Sequence, residues 1–142
     1  MILTLLEKED RTVGTVNGNP MTIGEGAKSI GFFLDVSDCG TDAGDTLDVK
    51  IQHSPDGGTN WDDIVHFTQV LGNDGDDTYQ EIAFIYLDLT PEDEMRTLST
   101  SSLAAGNVIQ GPIFPLIRAT GTIVDADADG NFEYSVTMQV NR

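Results

Sequence analysis

Phe132-Glu-Tyr-Ser-Val-Thr-Met-Gln-Val140 decides the fold class. Phe132, Tyr134, Val136, Met138 and Val140 alternate with Glu133, Ser135, Thr137 and Gln139. Successive side chains of a strand point to opposite faces, so this period of two describes a strand with one apolar and one polar face. Two other runs repeat it. Ile30, Phe32, Leu34 and Val36 alternate with Gly31, Phe33 and Asp35, and Leu47, Val49 and Ile51 alternate with Asp48, Lys50 and Gln52. Thr78–Leu89 and Arg118–Val124 read as further strands. Ile82–Leu87 is apolar at every position, which predicts a central strand or one covered on both faces. Turn signals separate these runs, among them Asn17-Gly-Asn-Pro20, Pro55-Asp-Gly-Gly58 and Gly72-Asn-Asp-Gly75. Fifteen glycines at such points favour short strands in a sandwich or barrel. The expected fold is all-β, a two-sheet antiparallel sandwich of jelly-roll-like kind.

Two stretches fall outside this pattern. Residues 1–28 are weakly patterned and read as an N-terminal arm. Residues 29–142 then form a single β-sandwich domain with an insertion over 90–113. Within the insertion Thr90 can cap a helix, Pro91 suits its first position, and Glu92, Asp93 and Glu94 suit the positive end of its dipole. These residues predict a short helix over Pro91–Leu98. Ser99–Gly111 follows without pattern, giving a connection of about twenty residues, a length typical of a functional arm, a lid or a mobile segment. At the N-terminus Ile2, Leu3, Leu5 and Leu6 precede the charged run Glu7-Lys-Glu-Asp10. Left exposed they would form a sticky patch. They either add a strand to the chain's own sheet or dock on a neighbouring subunit, and they are the candidate interface residues.

The chain has 142 residues, 24 acids, 7 bases and a net charge of −17. That balance excludes ordinary electrostatic binding to nucleic acid or to an anionic membrane, both of which need Lys and Arg. It also keeps a free protein soluble and resistant to self-association, and suits life in high salt, where screening removes the repulsion. Cys39 is the single cysteine, so neither an intrachain disulfide nor a thiolate metal cage is possible. Two histidines, His53 and His66, cannot supply a three-histidine metal site. No secretory signal is read at the N-terminus, and Ile82–Leu87 is far shorter than the roughly 20 residues of a membrane span.

Ser54-Pro-Asp56-Gly-Gly58-Thr-Asn60-Trp61 has the spacing Ser-x-Asp-x-Gly-x-x-Trp and resembles the Asp box of sialidases and several unrelated β proteins. Its physics is local: Asp accepts backbone N–H groups within the loop, Gly supplies positive φ, and Trp packs under the turn. The resemblance implies a folding device rather than a catalytic one. It joins a strand over 46–53 to one over 61–70, with Val49 facing Val65 and Asp48 beside His66.

Asp125-Ala-Asp127-Ala-Asp129-Gly130 matches the opening of a calcium loop. Val136 stands where the closing bidentate acid belongs, and Glu133 only partly substitutes. The alternative is an acidic hairpin turn between two good strands. No metal, cofactor or catalytic residue is assigned. Acid pairs such as Asp62-Asp63 and Asp76-Asp77 follow from composition, and none is singled out as a glycosidase pair. A histidine-based triad would need a nucleophile in a strained turn, and no G-x-S-x-G occurs. Cys39 sits among acids, which blunt a thiol.

Leu47-Asp-Val-Lys-Ile-Gln-His-Ser-Pro-Asp-Gly-Gly-Thr-Asn-Trp61 followed by Phe67-Thr-Gln69 resembles a recurrent pattern of small virion proteins of tailed bacteriophages. Arg118-Ala-Thr-Gly-Thr122 and Phe132-Glu-Tyr-Ser-Val136 complete the likeness. It spans roughly 30–89 and 114–140 and omits the N-terminal stretch and the insertion. The resemblance implies a head decoration or minor virion protein: non-enzymatic, jelly-roll-like, often a homotrimer on the capsid exterior, with the major capsid protein as partner. On that reading the arm and the long connection bridge neighbouring capsid subunits. A carbohydrate-binding or adhesin module, with or without calcium, is the second expectation and requires an exposed aromatic platform. A small hydrolase using an acid pair ranks last.

Overall fold

The computed structural model describes residues 1–40, 42–72, 78–90, 95, 97–98, 103–125 and 131–142. Eleven strands lie among them: β1 (Ile2–Arg11), β2 (Gly14–Asn17), β3 (Met21–Thr22), β4 (Ser29–Asp38), β5 (Thr46–Ser54), β6 (Asp62–His66), β7 (Val70–Leu71), β8 (Tyr79–Tyr86), β9 (Asn107–Val108), β10 (Leu116–Val124) and β11 (Phe132–Asn141). They form two antiparallel sheets packed face to face. One has the order β1-β11-β4-β8. The other has the order β2-β10-β5-β6-β9, with β3 also on β10 and β7 also on β5. No helix occurs among the described residues, and the short helix expected over Pro91–Leu98 lies mostly outside them.

Alternation builds the core. Ile30, Phe32, Leu34 and Val36 of β4 and Phe132, Tyr134, Val136 and Met138 of β11 point inward from one sheet. Leu47, Val49 and Ile51 of β5 and Ile117, Ala119 and Ile123 of β10 meet them from the other. Full burial of each large apolar side chain is worth about 1.5–3 kcal/mol, so these four strands carry most of the driving force.

Residues 1–28, expected as an arm, are stitched into both sheets. β1 pairs with β11 along its length, and β2 and β3 pair with β10 in the other sheet. Register shifts interrupt β1 between Thr4 and Leu6 and between Leu6 and Glu9. The first lets two consecutive leucines, Leu5 and Leu6, enter the core. Arg11 closes the strand from inside. Its Nη1 donates to the Tyr134 carbonyl at 2.8 Å, Nη2 donates to the Glu7 carbonyl at 2.6 Å, and the guanidinium lies 4.6 Å from the Tyr134 ring centroid.

The 46–53 hairpin differs in register from the sequence reading. Ile51, not Val49, opposes Val65, and Lys50 opposes His66. A bulge falls between Ile51 and Gln52, and the pairing reaches His53 opposite Asp62. The shift is two residues, so the inward set of β5 is unchanged.

Tyr134 crosses the gap between the sheets until its hydroxyl abuts the backbone of Gly121 on β10, and a Cβ there would overlap it. The buried hydroxyl has no hydrogen-bond partner among the described residues. Burial pushes its pKa up, with the Arg11 charge opposing. Gly121→Ala should therefore destabilise the fold by about 1–3 kcal/mol. Adding Tyr134→Phe should recover part of the loss by removing the colliding oxygen. Urea denaturation of the two variants checks this; an unchanged midpoint for Gly121→Ala would contradict the close approach.

Candidate interaction face

Parity leaves one sheet face apolar on the outside. β8 turns Ala83 and Ile85 toward the core and Ile82, Phe84 and Tyr86 outward. The run Ile82–Leu87, expected to be central or covered on both sides, instead includes most of an edge strand whose outer face is open. Ile82 is 63% exposed, Tyr86 48% and Phe84 42%. β8 carries apolar residues on both faces, and only the inner one meets the opposite sheet.

The register lines these residues up with uncharged partners on the other three strands. Ile2, Gln139, Gly31 and Phe84 form one row across the sheet, and Thr4, Thr137, Phe33 and Ile82 form the next. Asn141, Ser29 and Tyr86 extend the band at one end, with Asn141 Nδ2 donating to Ser29 Oγ at 3.1 Å. None of these positions carries a charge at neutral pH, in a chain where 22% of residues are charged. The first charges on the strands come in the row beyond, where Lys8 Nζ meets Asp35 Oδ2 at 2.5 Å. The Lys8 hydrogen bond and, after it, the Gln80 amide hold the Asp35 carboxyl below its ordinary pKa. That row is thereby partly neutralised.

Gly31 shapes the band. A Cβ at Gly31 would stand 3.0 Å from Phe84 Cε1, so glycine lets the Phe84 ring lie low across β4. The result is an open depression of about 360 Å³ lined by Ile2, Gly31, Phe33, Ile82, Phe84 and Met138. Phe84 and Tyr86 stack beside it, with ring centroids 6.4 Å apart and 26° between planes.

The four candidate interface residues separate. Leu5 and Leu6 are core, Leu3 packs against the core, and Ile2, 69% exposed, is part of the band. Ile82, Phe84, Tyr86 and Phe33 were missed as interface residues. Their signal was the unbroken apolar run at 82–87, which marks either a covered strand or an uncovered one awaiting a partner. Sequence alone does not separate the two.

The titratable residues singled out earlier have roles inside the fold. His53 Nε2 lies 3.0 Å from Asp62 Oδ2, both buried, and His53 Nδ1 accepts the Phe114 N–H at 3.0 Å. Both ring nitrogens are thus engaged within the chain. His66 and Asp48 are in contact, as expected, at 3.0 Å. Cys39 is buried. No cluster of three His, Cys, Asp or Glu side chains able to hold a metal occurs among the described residues. Asp127 and Asp129 of the calcium-like segment lie outside the described residues.

The Asp-box segment folds as its chemistry requires. Asp56 Oδ1 accepts the Asn60 N–H at 2.7 Å, and Oδ2 accepts Asn60 Nδ2 at 2.6 Å. Ser54 Oγ accepts the Gly58 N–H at 2.8 Å. Gly57 and Gly58 take φ of 73° and 104°, values that favour glycine. Trp61 Nε1 donates to the Gly58 carbonyl at 3.0 Å, and Arg118 lies 4.2 Å from the Trp61 ring centroid. The single tryptophan is therefore spent on the turn.

No family model, curated protein or solved structure matches the chain.

The Asn60 backbone N–H, then its side-chain amide, keeps the Asp56 carboxyl below its ordinary pKa. A depressed pKa means that the ionised form stabilises the fold above the unfolded carboxylate range and that this is lost as pH falls through the folded value. Asp56→Ala should lower the melting temperature at neutral pH. The gap to the parent protein should close as the pH drops below about 4. A gap that persists undiminished in acid would count against the carboxylate's role.

Proposed function

We propose that this protein is a non-enzymatic structural component of a phage virion that sits on the capsid exterior and stabilises it by docking its uncharged sheet face on the major capsid protein. The observation that supports this reading is the band of Ile2, Phe33, Ile82, Phe84 and Tyr86, the outward apolar side of a sheet whose chain otherwise carries 24 acids. Exposed apolar side chains gathered in one contiguous patch, rather than scattered singly, are what a surface that meets another molecule presents. The resemblance of residues 47–69, 118–122 and 132–136 to phage virion proteins supplies the kind of partner.

Charge restricts the occupant. Placing an acidic surface against this protein would bring like charges together around the band. A neutral or basic apolar surface avoids that cost and gains the burial. The expected arm-like clamp changes in form, because β1 pairs with β11 of its own chain. The docking element is the rigid sheet face, with Ile2 the part of the N-terminal cluster that contributes. Homotrimeric assembly on the capsid, with many weak contacts acting together, would supply avidity.

A carbohydrate-binding or adhesin role is the second reading. It is favoured by one observation, the exposed stacked pair Phe84 and Tyr86, a platform of the kind a sugar ring can stack on. A glycan array separates the two readings.

Expanded phage capsids lacking a decoration protein should bind the purified chain and gain heat resistance. Ile82→Lys should weaken that binding at least about tenfold while changing fold stability by no more than about 0.5 kcal/mol. Undiminished binding by Ile82→Lys would remove the band from the interface, and failure of the parent chain to bind would overturn the reading.

A further inference from the structure

The segment from Leu103 to Phe114 runs as a strap across one open side of the sandwich. It starts beside β6, where Gly106 N–H donates to the His66 carbonyl at 2.7 Å and β9 pairs with β6. Ile109 N–H donates to the Ile64 carbonyl at 2.9 Å. The strap then crosses to the other sheet. Gln110 Oε1 accepts the Tyr86 N–H at 2.7 Å, Gln110 Nε2 donates to the Phe84 carbonyl at 2.8 Å, and Gly111 N–H donates to the Tyr86 carbonyl at 3.1 Å. The strap thus joins β6 to the outer edge of β8.

The chain's two histidines hold its two ends in opposite ways. At the far end His53 Nδ1 accepts the Phe114 N–H, so the ring proton sits on Nε2 facing Asp62, the arrangement of a neutral imidazole. At the near end both nitrogens of His66 face acceptors. Nδ1 lies 2.7 Å from the Leu103 carbonyl and Nε2 lies 3.0 Å from Asp48 Oδ1. Neither acceptor can supply a proton while Asp48 is ionised. A neutral ring has one N–H and leaves the other nitrogen's lone pair against oxygen, whereas an imidazolium satisfies both.

We propose that His66 is a pH-sensitive clasp that fixes the strap at Leu103 when its ring is an imidazolium and frees that end when the ring is neutral. On deprotonation the remaining N–H stays with Asp48, because a bond to an ionised acceptor is about twice as strong as one to a carbonyl. The bare Nδ1 then repels the Leu103 oxygen. The favourable contact belongs to the charged ring, so it is present with the imidazolium and lost when the ring gives up its proton.

The groups around His66 fit one dominant charge partner. On β5 these are Asp48, whose Oδ2 also accepts Gln69 Nε2 at 2.8 Å, and Lys50, cross-strand from His66. Lys50 Nζ is held 3.1 Å from Asp63 Oδ2 of β6. Glu81 of β8 accepts the Thr68 N–H two residues beyond His66. β9 presents Asn107 opposite His66, and β10 presents Thr120 and Thr122 opposite Lys50 and Asp48, all uncharged. This inference goes beyond the docking reading and stands without it.

Amide hydrogen exchange followed by NMR tests the clasp on the intact chain, with rates corrected for intrinsic exchange. Protection of Gly106 and Ile109 should fall roughly five- to tenfold between about pH 5.5 and about pH 8, in step with the His66 ring proton shifts. His66→Gln should show no such fall and should match the parent protein's high-pH level. Asp48→Asn should flatten the fall, since an amide there can donate to Nε2 and leave the N–H of a neutral ring on Nδ1 for the Leu103 carbonyl. Flat protection in the parent chain, or an undiminished fall in His66→Gln, overturns the proposal. Should His66→Gln fail to fold, Asp48→Asn decides: an undiminished fall in that variant overturns it equally.

Discussion

Strand parity is the constraint from which the rest of this structure follows. A strand presents alternate residues to opposite faces, so a strand apolar at every position has twice the apolar surface that one core can use. β8 is such a strand over 82–86, and its place at the sheet edge leaves Ile82, Phe84 and Tyr86 outside. The pairing with β4, Ile82 opposite Phe33 and Phe84 opposite Gly31, turns those residues into a continuous surface. A one-residue slip would send Phe33 inward and Phe32 outward, breaking the core and the band together. Core register and the outer apolar band are therefore one property.

The sandwich is closed differently on its two sides. On one side the chain itself crosses, from β1 in one sheet to β2 in the other, with Arg11 locked on Tyr134 beneath the crossing. On the other side the strap does the work, held by backbone bonds to β6, by the Gln110 amide on β8 and by one histidine at each end. The Gln110 side chain acts there as a surrogate strand, satisfying one N–H and one carbonyl of an edge that would otherwise invite pairing with another chain. Loosening the strap would bare that edge beside the uncharged band.

The sequence was most informative where alternation was clean. β4, β5, β10 and β11 and the Asp-box turn were legible, because parity and turn chemistry are local. The sandwich itself followed from them. Local reasoning failed in three places for distinct reasons. Residues 2–11 read as an arm because bulges in β1 break the period of two and bring Leu5 and Leu6 to the same side. The hairpin register was two residues off, one from the length of the turn and one from a bulge at Ile51/Gln52, and neither can be seen in composition. The band was missed because nothing in an apolar run says whether its second face will be covered. The two histidines suggest a triad or a metal site only as residue types, and the fold engages both in contacts within the chain.

Docking by an uncharged face on a strongly acidic molecule is the central claim, and an image of the bound protein tests it most directly. A cryo-electron microscopy map of the chain on an expanded capsid should show the outer side of β8, β4 and β11 against the capsid subunit, with Ile82 and Phe84 buried. A map in which the band faces solvent while the Asp-box end or the β2 edge makes the contact would contradict it.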